Sequence, residues 1–258
     1  MKQRSFDVLG NIAIVNFPDN SRIKEKRKFA NKLLKEQNSI KTVLEKYGKV
    51  KGRLRKISTK YLAGEKTKEV LYKENGCVFR FNIDNTYFSP RLSNERKEIS
   101  KLMKKGDNVL VMFAGVAPFP IVISKNSKVR RVVSNEINRE ANKYARLNIE
   151  LNKLKDRVEL IPGDIKRISK KFKEKFEVIV MPRPRLKNTF LEQAFLLSKK
   201  GTRIYYYDFC KIDEENLIVE KIKKEARESK KKIRILKIKK AGEIAPYKIR
   251  LRVDFAIS

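Results

Sequence analysis

The chain has 258 residues, 41% of them hydrophobic, so it is long enough for one large or two modest domains with a real core. It carries 64 Lys and Arg against 30 Asp and Glu, a formal charge of +34, and no histidine. Histidine general bases, histidine–zinc sites and Ser-His-Asp triads are therefore excluded. The two cysteines, Cys77 and Cys210, rule out a disulfide framework and have no metal-ligand spacing. No apolar run approaches the length of a membrane span, and Met1 to Asn20 does not read as a signal peptide, so the expected location is cytoplasmic. The cationic excess points to a polyanion, with nucleic acid ahead of an anionic membrane. A Lys-rich surface acquired as a compositional adaptation usually comes with matching Glu, which this chain lacks.

In chain order, the region up to about Lys105 reads as a small α+β domain. Val8 to Val15 is a strand pair about Gly10-Asn11, and Ile23 to Leu34 a basic amphipathic helix. Val50 to Lys73 reads as short strands with basic turns. Glu74-Asn75-Gly76 is a turn, and Cys77 to Ile83 alternates like an antiparallel strand. Ser93 to Lys105 is a helix leading into the second domain.

From Asp107 strands and helices alternate, which implies a mainly parallel sheet covered on both faces. Strands are expected at Val109–Phe113, Val129–Val133, Val158–Ile161, Phe176–Met181 and Ile204–Phe209. Helices are expected at Asn138–Leu151, at Phe190–Leu197 with Gly201 as C-cap, and at Asp213–Ser229. Ile233–Ile238 and Arg250–Ile257 close the chain as a hairpin through Pro246. The domains are expected at 1–92 and 93–258.

The most informative segment is Asp107-Asn-Val-Leu-Val-Met-Phe-Ala-Gly-Val-Ala-Pro-Phe119, an apolar strand opening into a small-residue turn at Ala114-Gly115. Parallel strands open onto nucleotide cofactors in this way, because small residues let the backbone approach the ligand. Glu136 ends the next strand about 20 residues on, where a carboxylate can accept from ribose hydroxyls; a carboxylate favoured by a helix dipole is the plainer alternative. Asp164 ends the third strand, within reach of an adenine amino group or as a simple N-cap. A second cluster, Tyr87-Phe-Ser-Pro-Arg-Leu-Ser-Asn-Glu-Arg96, joins two aromatics, two arginines and a carboxylate. Capping explains Ser93 and Glu95 but not the aromatics beside Pro90-Arg91. Gly52-Arg-Leu-Arg-Lys56 is a weaker basic cluster, and Tyr205-Tyr206-Tyr207 reads as alternately buried and exposed.

These segments resemble the archaeal and eukaryotic tRNA guanine-37 N1-methyltransferases. The likeness is carried by Gly52-Arg-Leu-Arg55, Leu62-Ala-Gly-Glu65, Glu74-Asn-Gly76, Tyr87 to Arg96 and Met112-Phe-Ala-Gly-Val-Ala-Pro-Phe119. The resemblance implies a class I, Rossmann-like α/β methyltransferase domain that uses S-adenosylmethionine, preceded by a smaller tRNA-binding domain that grips the anticodon stem-loop. It implies that Glu95 removes the N1 proton of guanosine 37 and that Arg55 stabilises charge on O6. Tyr87 and Arg91 would position the flipped base. Arg96, Phe113, Gly115, Glu136, Ile137, Asp164 and Ile165 would contact the cofactor, with no metal and a monomeric enzyme.

Three departures qualify the match. Met112 replaces an acidic residue, Ala117 a glycine, and Met181-Pro182-Arg183 stands where the family has Asn-Leu-Pro. The likeness starts at about Phe6, so the outer-corner-reading domain of the family is expected to be absent. The shorter kind of chain resembles a bifunctional archaeal branch that also methylates carbon 7 of 4-demethylwyosine 37. The rival readings are an aminocarboxypropyl transferase of wyosine synthesis and a non-catalytic tRNA binder on a degenerate methyltransferase fold.

Overall fold

The computed structural model describes residues 6–51 and 56–258. The chain separates into two compact units, residues 1–90 and 91–258.

In the first unit, β1 (Phe6–Leu9) and β2 (Ile12–Val15) form a tight antiparallel hairpin. Its turn glycine, Gly10, sits at φ +56, and a Cβ there would lie 1.9 Å from the Leu71 carbonyl oxygen. Only glycine tolerates both the conformation and the approach. The chain crosses through α1 (Ile23–Glu36) to β3 (Thr42–Lys51), which lies parallel to β2; β4 (Lys56–Gly64) returns antiparallel. Thus β3 is a single ten-residue strand that begins well before Val50, in a stretch where the sequence suggested no element. Its charged residues mask an apolar core side: Val43 packs with Ala13, Val15, Ala30, Leu33 and Leu62. A separate hairpin pairs β5 (Glu69–Glu74) with β6 (Cys77–Asn82). Phe88 packs on it, its ring 4.7 Å from Phe81 and 5.0 Å from Tyr72. One of the two unexplained aromatics is therefore a core residue of this unit.

The second unit is built on a seven-stranded sheet. Its strands are β7 (Asn108–Met112), β8 (Arg131–Glu136), β9 (Val158–Pro162), β10 (Phe176–Met181), β11 (Ser198–Lys211), β12 (Ile233–Ala245) and β13 (Lys248–Ile257). The spatial order is β12-β13-β11-β10-β7-β8-β9. The pairings from β11 through β10, β7 and β8 to β9 are parallel, and β13 is antiparallel to both its neighbours. The order reverses beside β7, the switch point at which open α/β sheets leave a ligand crevice.

The helices are α2 (Ser93–Lys101), α3 (Pro118–Asn126), α4 (Arg139–Leu151), the single turn α5 (Ile165–Ile168), α6 (Leu191–Leu196) and α7 (Glu215–Glu228). Two expectations shift. α2 stops four residues early, where the chain turns at Gly106 with φ +85. Gly201 is not the cap of α6; it lies inside β11, and Leu197 caps the helix. α3 was not anticipated, because two prolines stand at its start; both fall in the first turn, where a missing N–H costs nothing.

One face of the sheet packs on α6 and α7: Ile249, Leu251, Val253 and Phe255 of β13 join Ile204 and Tyr206 of β11, Phe195 and Ile222 in one core. The alternate residues of β11 and β13 face α2 and α3. The tyrosine triplet is therefore buried throughout, at 5%, 0% and 1% exposure, contrary to the expected alternation. A strand flanked on both sides and covered on both faces has no solvent side.

Candidate active site

Three strand ends are stitched together around the expected cofactor turn. Ala114 N–H donates to Asn135 O at 2.9 Å, the Asn135 amide to Ile161 O at 2.8 Å and Gly163 O at 3.1 Å, and Gly163 N–H to Glu136 O at 2.8 Å. Within the turn Phe113, Gly115 and Ala117 take φ of +60, +58 and +66. Left-handed backbone at a bulky Phe and at an Ala is strained, and strain of this kind persists at sites where the surroundings over-determine it. Ala117 thus holds a conformation better suited to the glycine of the resembled family. The Phe113 ring meets Phe190 edge-on at 4.9 Å.

Glu136 binds the turn directly. Its carboxylate accepts from Gly115 N–H at 2.8 Å and from Asn138 N–H at 2.7 Å. It therefore buttresses the turn and serves the start of α4, while remaining partly exposed. Asn138 caps that helix through Glu140 N–H at 3.0 Å. Asp164 caps α5, accepting from Lys166 N–H at 3.0 Å, so its simpler alternative is realised; it is half-buried, as is Ile137, while Ile165 is 2% exposed.

Glu95 lies in the first turn of α2 and is 5% exposed. Oε2 accepts from Tyr207 O–H at 3.0 Å and from Arg252 Nη1 at 2.8 Å, while Oε1 accepts from Lys239 Nζ at 2.8 Å. Arg252, wholly buried, also donates to Glu98 at 2.8 Å and to Asp254 at 2.8 and 3.1 Å; Lys239 also meets Glu98. Three strands thus converge on one carboxylate, far beyond a helix-dipole role. Burial works against ionisation of Glu98, but hydrogen bonds and charge from Lys239 and Arg252 outweigh it and hold that carboxyl at about 2. Burial, with the Glu95 charge adding, raises the Tyr207 hydroxyl well above its usual range, so it is a donor at any working pH. Next to Glu95, Arg96 is 1% exposed and stacks its guanidinium 5.7 Å from the Phe119 ring at the start of α3; Phe119 in turn meets Tyr207 at 6.0 Å. The carboxylate on α2 and the turn leading into α3 are therefore parts of one packed assembly.

Neither Arg252, Lys239 nor Tyr207 was singled out from sequence in this role. Arg250, Arg252 and Asp254 alternate with apolar residues, which in isolation reads as a solvated strand face; only the helix lying over that face turns Arg252 inward. At the end of β10, Arg183 is 3% exposed. It pairs with Asp208 at 3.2 Å, donates to Pro184 O at 3.1 Å and Leu186 O at 3.0 Å, and lies 5.5 Å from the Tyr206 ring. The segment that replaces Asn-Leu-Pro is thereby clamped by its own arginine. Tyr87 is half-buried in the first unit, and Arg91 is exposed in the turn Pro90–Leu92. Arg55, with the cluster Gly52-Arg-Leu-Arg55, lies outside the described residues. Among the described residues no group of three His, Cys, Asp or Glu side chains converges as a metal site.

Known proteins match this arrangement over nearly the whole chain. Residues 70–236 match the TRM5/TYW2 methyltransferase domain, and residues 2–67 the TYW2 N-terminal domain. The tRNA (guanine(37)-N(1))-methyltransferase Trm5b of Pyrococcus abyssi is 32% identical over 255 residues, which is 98% of this chain and 75% of that one. Its crystal structure superimposes with a TM-score of 0.86. A Nanoarchaeum equitans protein named tRNA (guanine(37)-N(1))/4-demethylwyosine(37)-methyltransferase Taw22 is 44% identical over 150 residues, 58% of this chain and 49% of that one. A structure of aTrm5 in complex with tRNALeu superimposes with a TM-score of 0.83 at 29% identity, covering 98% of this chain and 72% of that one. With the methyltransferase model spanning the strands from β7 to β11, the strained turn and the Glu95 helix alike, this chain belongs to the TRM5/TYW2 methyltransferase family.

Proposed function

We propose that this protein methylates N1 of guanosine 37 in tRNA, using S-adenosylmethionine. The observation that carries this reading is the buttressed Glu95 packed, through Arg96 and Phe119, against the strained turn that Glu136 holds open. The names of the P. abyssi and N. equitans relatives, and the tRNALeu complex, support the choice of acceptor.

The residues fit the cofactor by their chemistry. Gly115 allows close backbone approach, the partly exposed Glu136 carboxylate suits ribose hydroxyls, and Asp164 suits an adenine amino group. Phe113, Ile137 and Ile165 supply apolar walls, and Arg96 a cation. S-adenosylmethionine supplies an electrophilic methyl group when bound.

Guanine N1 is a poor nucleophile until its proton is removed. Glu95 takes that proton on Oε1, which carries one hydrogen bond, from the partly exposed Lys239; Oε2 stays fixed by Arg252 and Tyr207. Negative charge then spreads onto O6, where Arg55 stabilises it. Tyr87 and Arg91 hold the flipped base in place. No metal takes part, and the enzyme works as a cytoplasmic monomer.

A second acceptor, 4-demethylwyosine 37, is favoured by one observation: Arg183 and its clamp replace the family's asparagine segment after β10. Incubation with tRNA carrying 4-demethylwyosine tests it; no methylated tricycle removes this activity.

The primary test uses S-adenosylmethionine labelled separately in the methyl and the carboxyl carbon, with guanosine-37 and adenosine-37 transcripts. Methyl label on the guanosine form alone is the expected result. Carboxyl label on a wyosine-precursor tRNA would establish aminocarboxypropyl transfer instead, and no label on any acceptor would leave a tRNA binder. Glu95→Gln should lower turnover about 10²–10⁴-fold, the usual yield of a positioned base, and leave tRNA affinity within about threefold. Equal loss of both would make Glu95 structural.

A further inference from the structure

β10 ends at Met181, which is paired with Tyr206 of β11, but β11 continues to Lys211. The ladder with β13 continues with it, to Lys211 opposite Lys248. β11, β13 and β12 therefore form a three-stranded tab that overhangs the carboxyl edge of the sheet by roughly 16 Å, at about 3.3 Å per residue. That edge is where open α/β sheets take their ligands.

The tip of the tab is the two-residue turn Pro246-Tyr247, closed by the pairing of Ala245 with Lys248. Tyr247 is 80% exposed and adopts φ +57. After a proline, a turn of this shape favours glycine or asparagine in the second position, because a Cβ is strained in left-handed backbone. The fold gains nothing from an aromatic there: the ring touches solvent and its backbone pays for it. At the base of the turn is a cleft of about 190 Å³ lined by Arg185, Phe209, Lys211 and Lys248, with Glu214 the one carboxylate, already paired with Lys211 at 3.4 Å. Arg250 lies over the Phe209 ring at 5.3 Å. Arg185 comes from the segment that follows β10.

We infer that the tab is a nucleic-acid-reading finger: Tyr247 stacks on an unpaired base of the anticodon loop, and Arg185, Lys211 and Lys248 contact the phosphates beside it. The ring supplies a π-face that any base can use, and the cations match single-stranded backbone. This rests on the tRNA activity proposed above and extends it to a second point of contact.

Three variants test it on a guanosine-37 tRNA transcript. Tyr247→Asn should bind about tenfold more weakly, within the range of one lost base stack, while its thermal unfolding midpoint does not fall. Tyr247→Phe should bind within about twofold of the parent. Replacing Arg185, Lys211 and Lys248 together by Gln should make the plot of log affinity against log salt shallower by about 2, since each single-strand phosphate contact contributes about 0.7. Unchanged affinity in Tyr247→Asn, equal loss in Tyr247→Phe, or an unchanged salt slope would overturn the finger. If the parent methylates this tRNA while the variants behave like it, only the finger fails; if the parent neither binds nor methylates it, the activity itself fails.

Discussion

At the residue scale, one buried guanidinium organises the site. Arg252 has no solvent and three carboxylate partners, so truncating it strands Asp254 and leaves Glu95 with only Lys239 and Tyr207. Arg252→Met should cost about 3–5 kcal/mol in denaturant unfolding, because breaking a buried ion network leaves uncompensated charge. A loss below about 1 kcal/mol would mean that water reaches the network. Glu98 gives a pH signature with a definite sign. Its carboxyl is held near 2 against an ordinary 4.5, so it binds a proton more weakly folded than unfolded. Its stabilisation is complete above about pH 5 and is lost as pH falls towards 2. Glu98→Gln should flatten that limb of the thermal midpoint against pH; identical limbs in parent and variant would remove Glu98 as the cause. Burial pushes Asp254 in the opposite direction, which is why the difference between the two proteins is the quantity to read.

At the element scale, α4 starts where the cofactor turn is tied down. Asn138 caps it, and its own N–H goes to Glu136. Asn138→Ala should destabilise the protein by about 1 kcal/mol, the usual cost of a lost N-cap. An unchanged denaturation midpoint would show that the cap is dispensable. The elements also show where local pattern suffices. β7, β9, β10, α4 and α7 were legible because apolar periodicity and a flanking cap or turn agree. α3 was hidden by Pro118 and Pro120, whose effect depends on falling in the first turn rather than on their identity. β3 was hidden because its polar residues interrupt the apolar run.

For the whole molecule, charge is the dominant fact. A formal +34 includes a cationic stripe on α1, where Lys24, Arg27, Lys28, Lys32 and Lys35 line one groove. Affinity for tRNA should fall at least tenfold between about 50 and 200 mM salt, the behaviour of several phosphate contacts. A flat dependence would remove the phosphate contacts as the source of affinity. No helix among the described residues is long and apolar enough to cross a membrane. The chain matches its relatives through both units, so the family assignment does not rest on the sheet alone.

By itself the sequence determined the chemistry that could be present and the frame that would hold it. The lack of histidine, the cationic excess, the strand-to-turn segment at Met112 to Phe119 and the carboxylates Glu95, Glu136 and Asp164 are local facts, readable because each depends on residue type and near spacing. Tertiary structure decided what those carboxylates do. Glu95 meets Tyr207, Lys239 and Arg252, which lie 112 to 157 positions away along the chain, and Glu136 meets Gly115, 21 positions away. Tyr205 to Tyr207 are buried because their strand has neighbours on both edges and helices on both faces. An alternating pattern fixes which residues share a face, but what covers that face depends on chain order in the sheet, and that depends on contacts between residues distant in sequence.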